Sequence, residues 1–153
     1  MEHKLMARTT ASTTVVVLDD ELFNIEWLLD FLTAQGYETI PSSSASEAIE
    51  IVSEEIYRAL ILDLNVPMSS DLIEAAGKLG SVYKKYPGLF VARTARNAGY
   101  RDRQIIIYSV HRDVEVAQEA SRLGITYILK GRPAELKSEI DAVLSFDPTT
   151  AKE

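Results

Sequence analysis

The sequence predicts an α/β domain: a five-stranded parallel sheet with helices on both faces. Three observations lead there. Short runs with strand propensity recur five times, apolar around residues 15–18, 59–62, 105–108 and 125–129 and mixed at 37–40. Between them the apolar residues recur at helical spacing, and that alternation is the mark of crossover connections in a parallel sheet. Several runs also end abruptly in a polar or charged residue, at the edge where open parallel sheets place their ligands. With 153 residues, the chain is long enough for one domain with a full core.

Residues 1–13 are small and polar and read as a flexible tail, with the domain spanning 14–147 and a short polar tail at 148–153. Val15-Val16-Val17-Leu18 is a buried strand that runs into Asp19-Asp20-Glu21. From Leu22 the period changes: Leu22, Ile25, Leu28, Leu29 and Leu32 mark one helical face, and Gly36 fits the position just past a helix end. A second strand at 37–40 is closed by Pro41. Ser44-Ala45-Ser46-Glu47 reads as a capping box ahead of an apolar stripe of Ala48, Ile49, Val52 and Ile56. The third strand, ending Ala59-Leu60-Ile61-Leu62, meets Asp63, and Pro67 forces the chain out of the sheet.

The segment 69–103 is enlarged. A helix is expected over 71–79 and a second, shorter one around 90–97, with Gly77, Gly80, Pro87 and Gly88 as breakers. Order returns with Ile105-Ile106-Ile107-Tyr108 and Ser109, followed by a helical face of Val114, Ala117, Ala120 and Leu123 that Gly124 stops. A fifth strand over 125–129 ends at Lys130, and Pro133 opens a last helix burying Leu136, Ile140, Val143 and Leu144. Right-handed crossovers restrict such a chain to few topologies, and the flavodoxin-like order 2-1-3-4-5 is the natural one. Strands one and three are then neighbours, and Asp19, Asp20 and Asp63 meet at one edge.

Composition narrows the chemistry. The absence of cysteine removes disulfides, thiolate metal sites and cysteine nucleophiles, and two histidines, His3 and His111, are too few for a histidine metal cluster. No apolar run is long enough to span a membrane and the start of the chain is no secretory signal, so a cytoplasmic protein with no membrane partner is expected. The net charge of −7 is uneven. Residues 78–103 carry seven basic residues against one acid, a local +6 that leaves −13 for the rest. Tyr83, Tyr86, Phe90 and Tyr100 interleave with those cations, a pattern that can bind nucleic acid. The acidic chain carries no nucleic-acid fold motif, and nucleic acid is not expected as a partner.

The carboxyl edge collects Asp19 and Asp20 after strand one, Asp63 after strand three, Ser109 after strand four and Lys130 after strand five. Bare carboxylates about 4 Å apart repel by roughly 4 kcal/mol per pair at an effective dielectric of 20, so three of them call for a cation. Oxygen ligands without His or Cys favour Mg²⁺. Lys130 can pair with a carboxylate or a phosphoryl group, and Ser109 can donate a hydrogen bond to a phosphoryl oxygen.

The set Asp19-Asp20, Asp63-x-Asn65-x-Pro67, Ser109 and Lys130 resembles the receiver domain of two-component response regulators, over nearly the whole chain. The resemblance implies that Asp63 accepts a phosphoryl group from a phosphohistidine donor, a histidine kinase or a histidine phosphotransfer protein. It implies Mg²⁺ as cofactor, held by Asp20 directly, by Asp19 through water, by Asp63 and by the backbone carbonyl of Asn65. Ser109 and Lys130 become phosphoryl-contacting residues, and Ser109 and Tyr127 the switch pair whose movement follows the modification. A chemotaxis-type single-domain regulator is expected, signalling to a further protein or to a second copy of the chain. It is not an enzyme in its own right, but it assists its own phosphorylation and dephosphorylation with Mg²⁺.

Departures from the family pattern stand beside that reading. Receivers usually carry Met-x-Gly after the proline, but Met68-Ser69-Ser70-Asp71 lacks the glycine. The lysine is usually followed at once by proline, whereas Lys130-Gly131-Arg132-Pro133 displaces it. Val110 stands where a small residue is usual, and the segment between Asp63 and Ser109 is long. The main alternative is an atypical receiver that binds partners without phosphorylation. A haloacid-dehalogenase-like phosphatase would want a second acid where Asn65 stands.

Overall fold

Five short runs form one parallel sheet: the three inner ones are apolar and largely buried on both faces, while the two edge runs, at 38–42 and 126–129, are only partly buried. The computed structural model describes residues 11–110, 112–131 and 133–145. Its strands are β1 (Ala11–Leu18), β2 (Glu38–Ser42), β3 (Tyr57–Leu62), β4 (Ile105–Ser109) and β5 (Thr126–Leu129), in the order β2-β1-β3-β4-β5 that the alternating pattern predicts. All six residues of β3 are buried, as expected for the central strand. His3, His111, Arg132 and the two chain ends at 1–10 and 146–153 lie outside the described residues, and with them the expected C-terminal tail.

Side chains alternate across the sheet and divide the core in two. Val15, Val17, Ala59, Ile61, Ile106 and Tyr108 face α1 (Glu26–Ala34) and α7 (Pro133–Leu144). Val16, Leu18, Leu60, Leu62, Ile105 and Ile107 face α2 (Ala45–Glu54), α5 (Pro87–Ala98) and α6 (Val114–Leu123). α3 (Ser70–Leu79) and the short α4 (Ser81–Lys85) complete the set.

Several boundaries differ from the sequence reading. β1 starts at Ala11 rather than after a tail ending at 13, because the Ala11 amide bonds to Ile56 O and pairs the strand with β3. Pro41 sits inside β2 rather than closing it. β2 is an edge strand, where a missing N–H costs no ladder bond. The first helical stripe opens with a 3-10 turn, Leu22–Ile25, before α1 begins. The capping box is half formed: Ser44 accepts from the Glu47 amide at 3.1 Å, but Glu47 turns back to the Ser43 amide and the Ser42 hydroxyl. In α6 the buried stripe is Val116 and Ala120, with Val114 72% exposed and Ala117 also outside. Asp113 caps that helix by accepting from the Glu115 and Val116 amides, and this sets its phase.

The largest correction concerns the enlarged segment. The expected helix over 71–79 is present as α3, but it is not the crossover helix between β3 and β4. That place belongs to α5, which lies against β3 and β4 between α2 and α6, while α3 packs mainly on α4. The extra structure is therefore the α3–α4 excursion, inserted before the crossover helix. Pro87 at the first turn of α5 starts the helix rather than breaking it. The excursion leaves the domain after Asp63 and rejoins it at the same edge of the sheet, where the Gly88 amide bonds to Leu64 O at 2.9 Å.

The four aromatics of this segment are buried, so they form core and not a stacking platform for bases. Tyr100 donates to Glu55 O and accepts from the Tyr57 amide, each at 2.9 Å. Tyr83 donates to Glu119 at 2.6 Å and Tyr86 to Asp113 at 2.8 Å, tying the α4 end of the excursion to α6. No helix among the described residues is long and apolar enough to cross a membrane.

Candidate functional site

Parity and register bring the acids together. Asp19 continues the Val15/Val17 face of β1 and Asp63 the Ala59/Ile61 face of β3, so both project on the α1/α7 side. The Asp63 amide donates to Leu18 O at 2.9 Å and the Asp19 amide to Ser42 O at 2.9 Å, which fixes the two strand ends side by side. Asp20 follows and is exposed. Carboxylate oxygens of Asp19, Asp20 and Asp63 lie within 4.8 Å of one another, an oxygen-only donor set that can hold a metal ion.

Lys130 enters from the end of β5. Its amide bonds to Ser109 O at 2.8 Å, one step past the Ser109–Leu129 pair. Its ammonium donates to Asp19 Oδ2 at 2.6 Å and stands 3.7 Å from Asp63 Oδ1. The other oxygen of Asp19, Oδ1, accepts from the Glu21 amide at 2.9 Å, so both oxygens of this acid are engaged within the protein. A cavity of about 540 Å³ opens above the cluster, with Asp20, Asp63, Asn65, Tyr108, Val110 and Lys130 in its wall.

Burial and charge set the protonation of the pair. Asp63 is 9% exposed, and burial pushes its carboxyl up to about 6; the charges of Asp19 and Asp20 add to the rise, and Lys130 opposes it. Burial alone would lower Lys130, but its bond to Asp19 and the charges of Asp63 and Asp19 outweigh that and hold it above the ordinary lysine value. An ammonium so placed stays charged at neutral pH and offers donors toward Asp63.

The sequence-chosen residues do not all reach the cavity. Asn65 is exposed and lines it. Ser109 closes β4 with no exposed surface, and its neighbours Tyr108 and Val110 form that part of the wall. Val110 is 69% exposed and stands at the rim. Tyr127 is half-buried on the opposite side of the sheet, and its hydroxyl accepts from the Asp113 amide at 3.3 Å. It therefore touches the cap of α6 and not the acids.

Two residues escaped the sequence reading. Gly88, which in sequence looks like a helix breaker, donates its amide to Leu64 O at 2.9 Å, and a Cβ there would stand 1.9 Å from the backbone oxygen of Asp63. The close approach to the end of β3 is thus made by a glycine at the start of α5, beyond the excursion. The apolar spacing after Pro87-Gly88 was the available signal. In sequence Tyr108 is the last residue of the apolar run 105–108. Its parity with Ile106 puts it on the Asp63 side of the sheet, in the cavity wall.

Comparison with known proteins agrees with this architecture. No family model matches the chain. The polar-differentiation response regulator DivK of Brucella ovis is 30% identical over 59 residues, 39% of this chain and 48% of DivK, so the chain spans about half the length of the curated relatives it matches. Among solved structures, the BeF3-activated N-terminal receiver domain of Klebsiella pneumoniae RstA superposes with a TM-score of 0.66 at 16% identity, over 87% of this chain and 99% of that one. A response regulator receiver protein from Sinorhizobium medicae superposes with a TM-score of 0.61 at 22% identity, over 88% of this chain and 95% of that one. The chain has the fold of response-regulator receiver domains.

Proposed function

We propose that this chain works as a phosphoryl-accepting receiver: Asp63 takes a phosphoryl group from a phosphohistidine on a kinase or phosphotransfer protein, and the modified form signals by protein contact. The observation that carries the reading is the setting of Asp63, a buried carboxylate 3.7 Å from the Lys130 ammonium with two further acids within metal-sharing distance. In the transfer a carboxylate oxygen of Asp63 attacks phosphorus in line. The bond from phosphorus to the donor imidazole breaks, and its electron pair returns to the ring nitrogen. Lys130 orients the attacking carboxylate and meets the charge on the incoming oxygens.

The donor set fits a hard divalent ion. Asp20, Asp63 and the Asn65 carbonyl would hold Mg²⁺. Asp19, with both oxygens already engaged, would act through water. Bound there, Mg²⁺ supplies neutralisation of charge on the transferring group. The Asp20→Asn change is expected to weaken Mg²⁺ binding more than Asp19→Asn in a calorimetric titration.

Incubation with acetyl phosphate and Mg²⁺ is expected to add one phosphoryl group, placed on Asp63 by mass spectrometry and lost in Asp63→Ala. A group on another residue, or none at saturating donor, would overturn this reading in favour of phosphorylation-independent binding.

A further inference from the structure

Lys130 has a third neighbour besides its two acids. Its ammonium lies over the ring of Tyr108, 5.8 Å from the centroid, while Asp19 is at 2.6 Å and Asp63 at 3.7 Å. The ring cannot easily swing away. Tyr108 is 5% exposed, and Trp27 meets it edge-on with centroids 6.4 Å apart at 78°. Both rings line the acid cavity. On the far side, Lys137 of α7 stands over Trp27 at 5.8 Å and over Phe31 at 5.3 Å, so the stack runs from the cavity to the outer helices.

We infer that Tyr108 is a positioning residue for the chemistry at Asp63: the face of its ring carries the Lys130 ammonium between Asp19 and Asp63. The inference rests on the phosphoacceptor reading above. Asp19 is the nearer and more buried acid, and it alone would draw the ammonium to itself and away from Asp63. The negative face of an aromatic ring attracts a cation, and more strongly where water is partly excluded. Lys130 has 20% of its side chain exposed, so this attraction is only partly screened. The backbone makes the contact unavoidable. The bond from the Lys130 amide to Ser109 O sets the lysine one step past Ser109, and strand parity turns Tyr108 to the same side of the sheet. A phenyl ring offers the same face, so Phe should replace Tyr108 where an aliphatic side chain cannot.

The test compares wild type with Tyr108→Phe, Tyr108→Leu and Tyr108→Met by two measurements. In NMR spectra the ε-methylene protons of Lys130 are expected to be shifted upfield by the ring in wild type and Tyr108→Phe, and to return to ordinary positions in the other two. Phosphorylation by acetyl phosphate with Mg²⁺ is expected to keep its rate in Tyr108→Phe and to slow about three- to tenfold in the aliphatic variants, the range a partly desolvated cation–π contact is worth. Ordinary Lys130 shifts in wild type overturn the inference even if the aliphatic variants fail to fold. Equal rates in Tyr108→Phe and a folded Tyr108→Leu overturn it as well. Should the wild type accept no phosphoryl group, the proposed function fails, and the Lys130 shifts alone decide whether the ring places the ammonium.

Discussion

Asp63 is a residue the fold holds at a cost. Burial first, then the charges of Asp19 and Asp20, push its carboxyl up to about 6 from 3.8, against the pull of Lys130. A carboxyl whose folded value is raised contributes its full stability below the unfolded value and loses it as pH rises through the folded one. The window is therefore about pH 4 to 6, and above it the ionised Asp63 weakens the fold by roughly 3 kcal/mol at most, from a shift of about two units. Asp63→Asn removes that charge and keeps the shape. In urea titrations without divalent ions it is expected to be more stable than wild type at pH 7.5, and equal to it at pH 4. An Asp63→Asn protein no more stable at pH 7.5 would mean that Lys130 already compensates the buried charge in full. Millimolar Mg²⁺ should raise the melting temperature of wild type more than that of Asp63→Asn, because the ion relieves repulsion that the variant lacks.

At the scale of elements, the acid edge depends on α5 coming close to the end of β3. A Cβ on Gly88 would meet three backbone atoms: Asp63 O at 1.9 Å, and Asp63 C and Leu64 Cα at 2.8 Å. None is the flexible end of a side chain, so α5 or the Asp63 backbone must move. Gly88→Ala is expected to cost at least about 3 kcal/mol, the upper end for overpacking, and to impair phosphorylation with it. Gly77 in α3 is the control. Its Cβ would find only Lys84 Cδ at 3.7 Å, and Gly77→Ala should stabilise by up to about 1 kcal/mol through helix propensity. Thermal melts of the two variants separate a packing glycine from a dispensable one. Most strands were legible because their signal is local, a short apolar run ending in a polar residue. Asp19, Asp63 and Lys130 were legible because each ends such a run and topology does the rest. Gly88 was not, since its role is a contact with a strand end distant in the chain, and between two helices it looks like any breaker. Tyr108 was hidden in the same way, because its neighbours Trp27 and Lys130 come from other elements.

Over the whole molecule, the basic island of the sequence turns out not to be one surface. Arg96 is spent on the fold: its guanidinium bonds to Leu123 O, Gly124 O and Tyr100 O, each at 3.0 Å, closing the end of α6 and the turn after α5. Arg103 pairs with Glu139 on α7 at 2.8 Å, Arg93 lies over the Tyr83 ring at 5.2 Å, and Lys85 stands 4.0 Å from Asp113. Lys78 and Lys84 stay exposed on the excursion, with no acidic partner among the described residues. Within that local charge of +6, Arg96, Arg103 and Lys85 tie the enlarged segment to α6 and α7, the last two from exposed positions. The difference is measurable as stability. Arg96→Ala opens three carbonyl bonds from a charged donor and is expected to cost about 2 kcal/mol. In a chain of this size that lowers the melting temperature by roughly 4–8 °C. Lys78→Ala and Lys84→Ala should each stay within about 0.5 kcal/mol of wild type, as exposed charges do. Raising salt from 0.1 M to 1 M should leave the Arg96→Ala deficit nearly intact, since partly buried hydrogen bonds are poorly screened. A deficit that vanishes in high salt, or lysine variants as damaged as Arg96→Ala, would instead make the island a single long-range electrostatic unit.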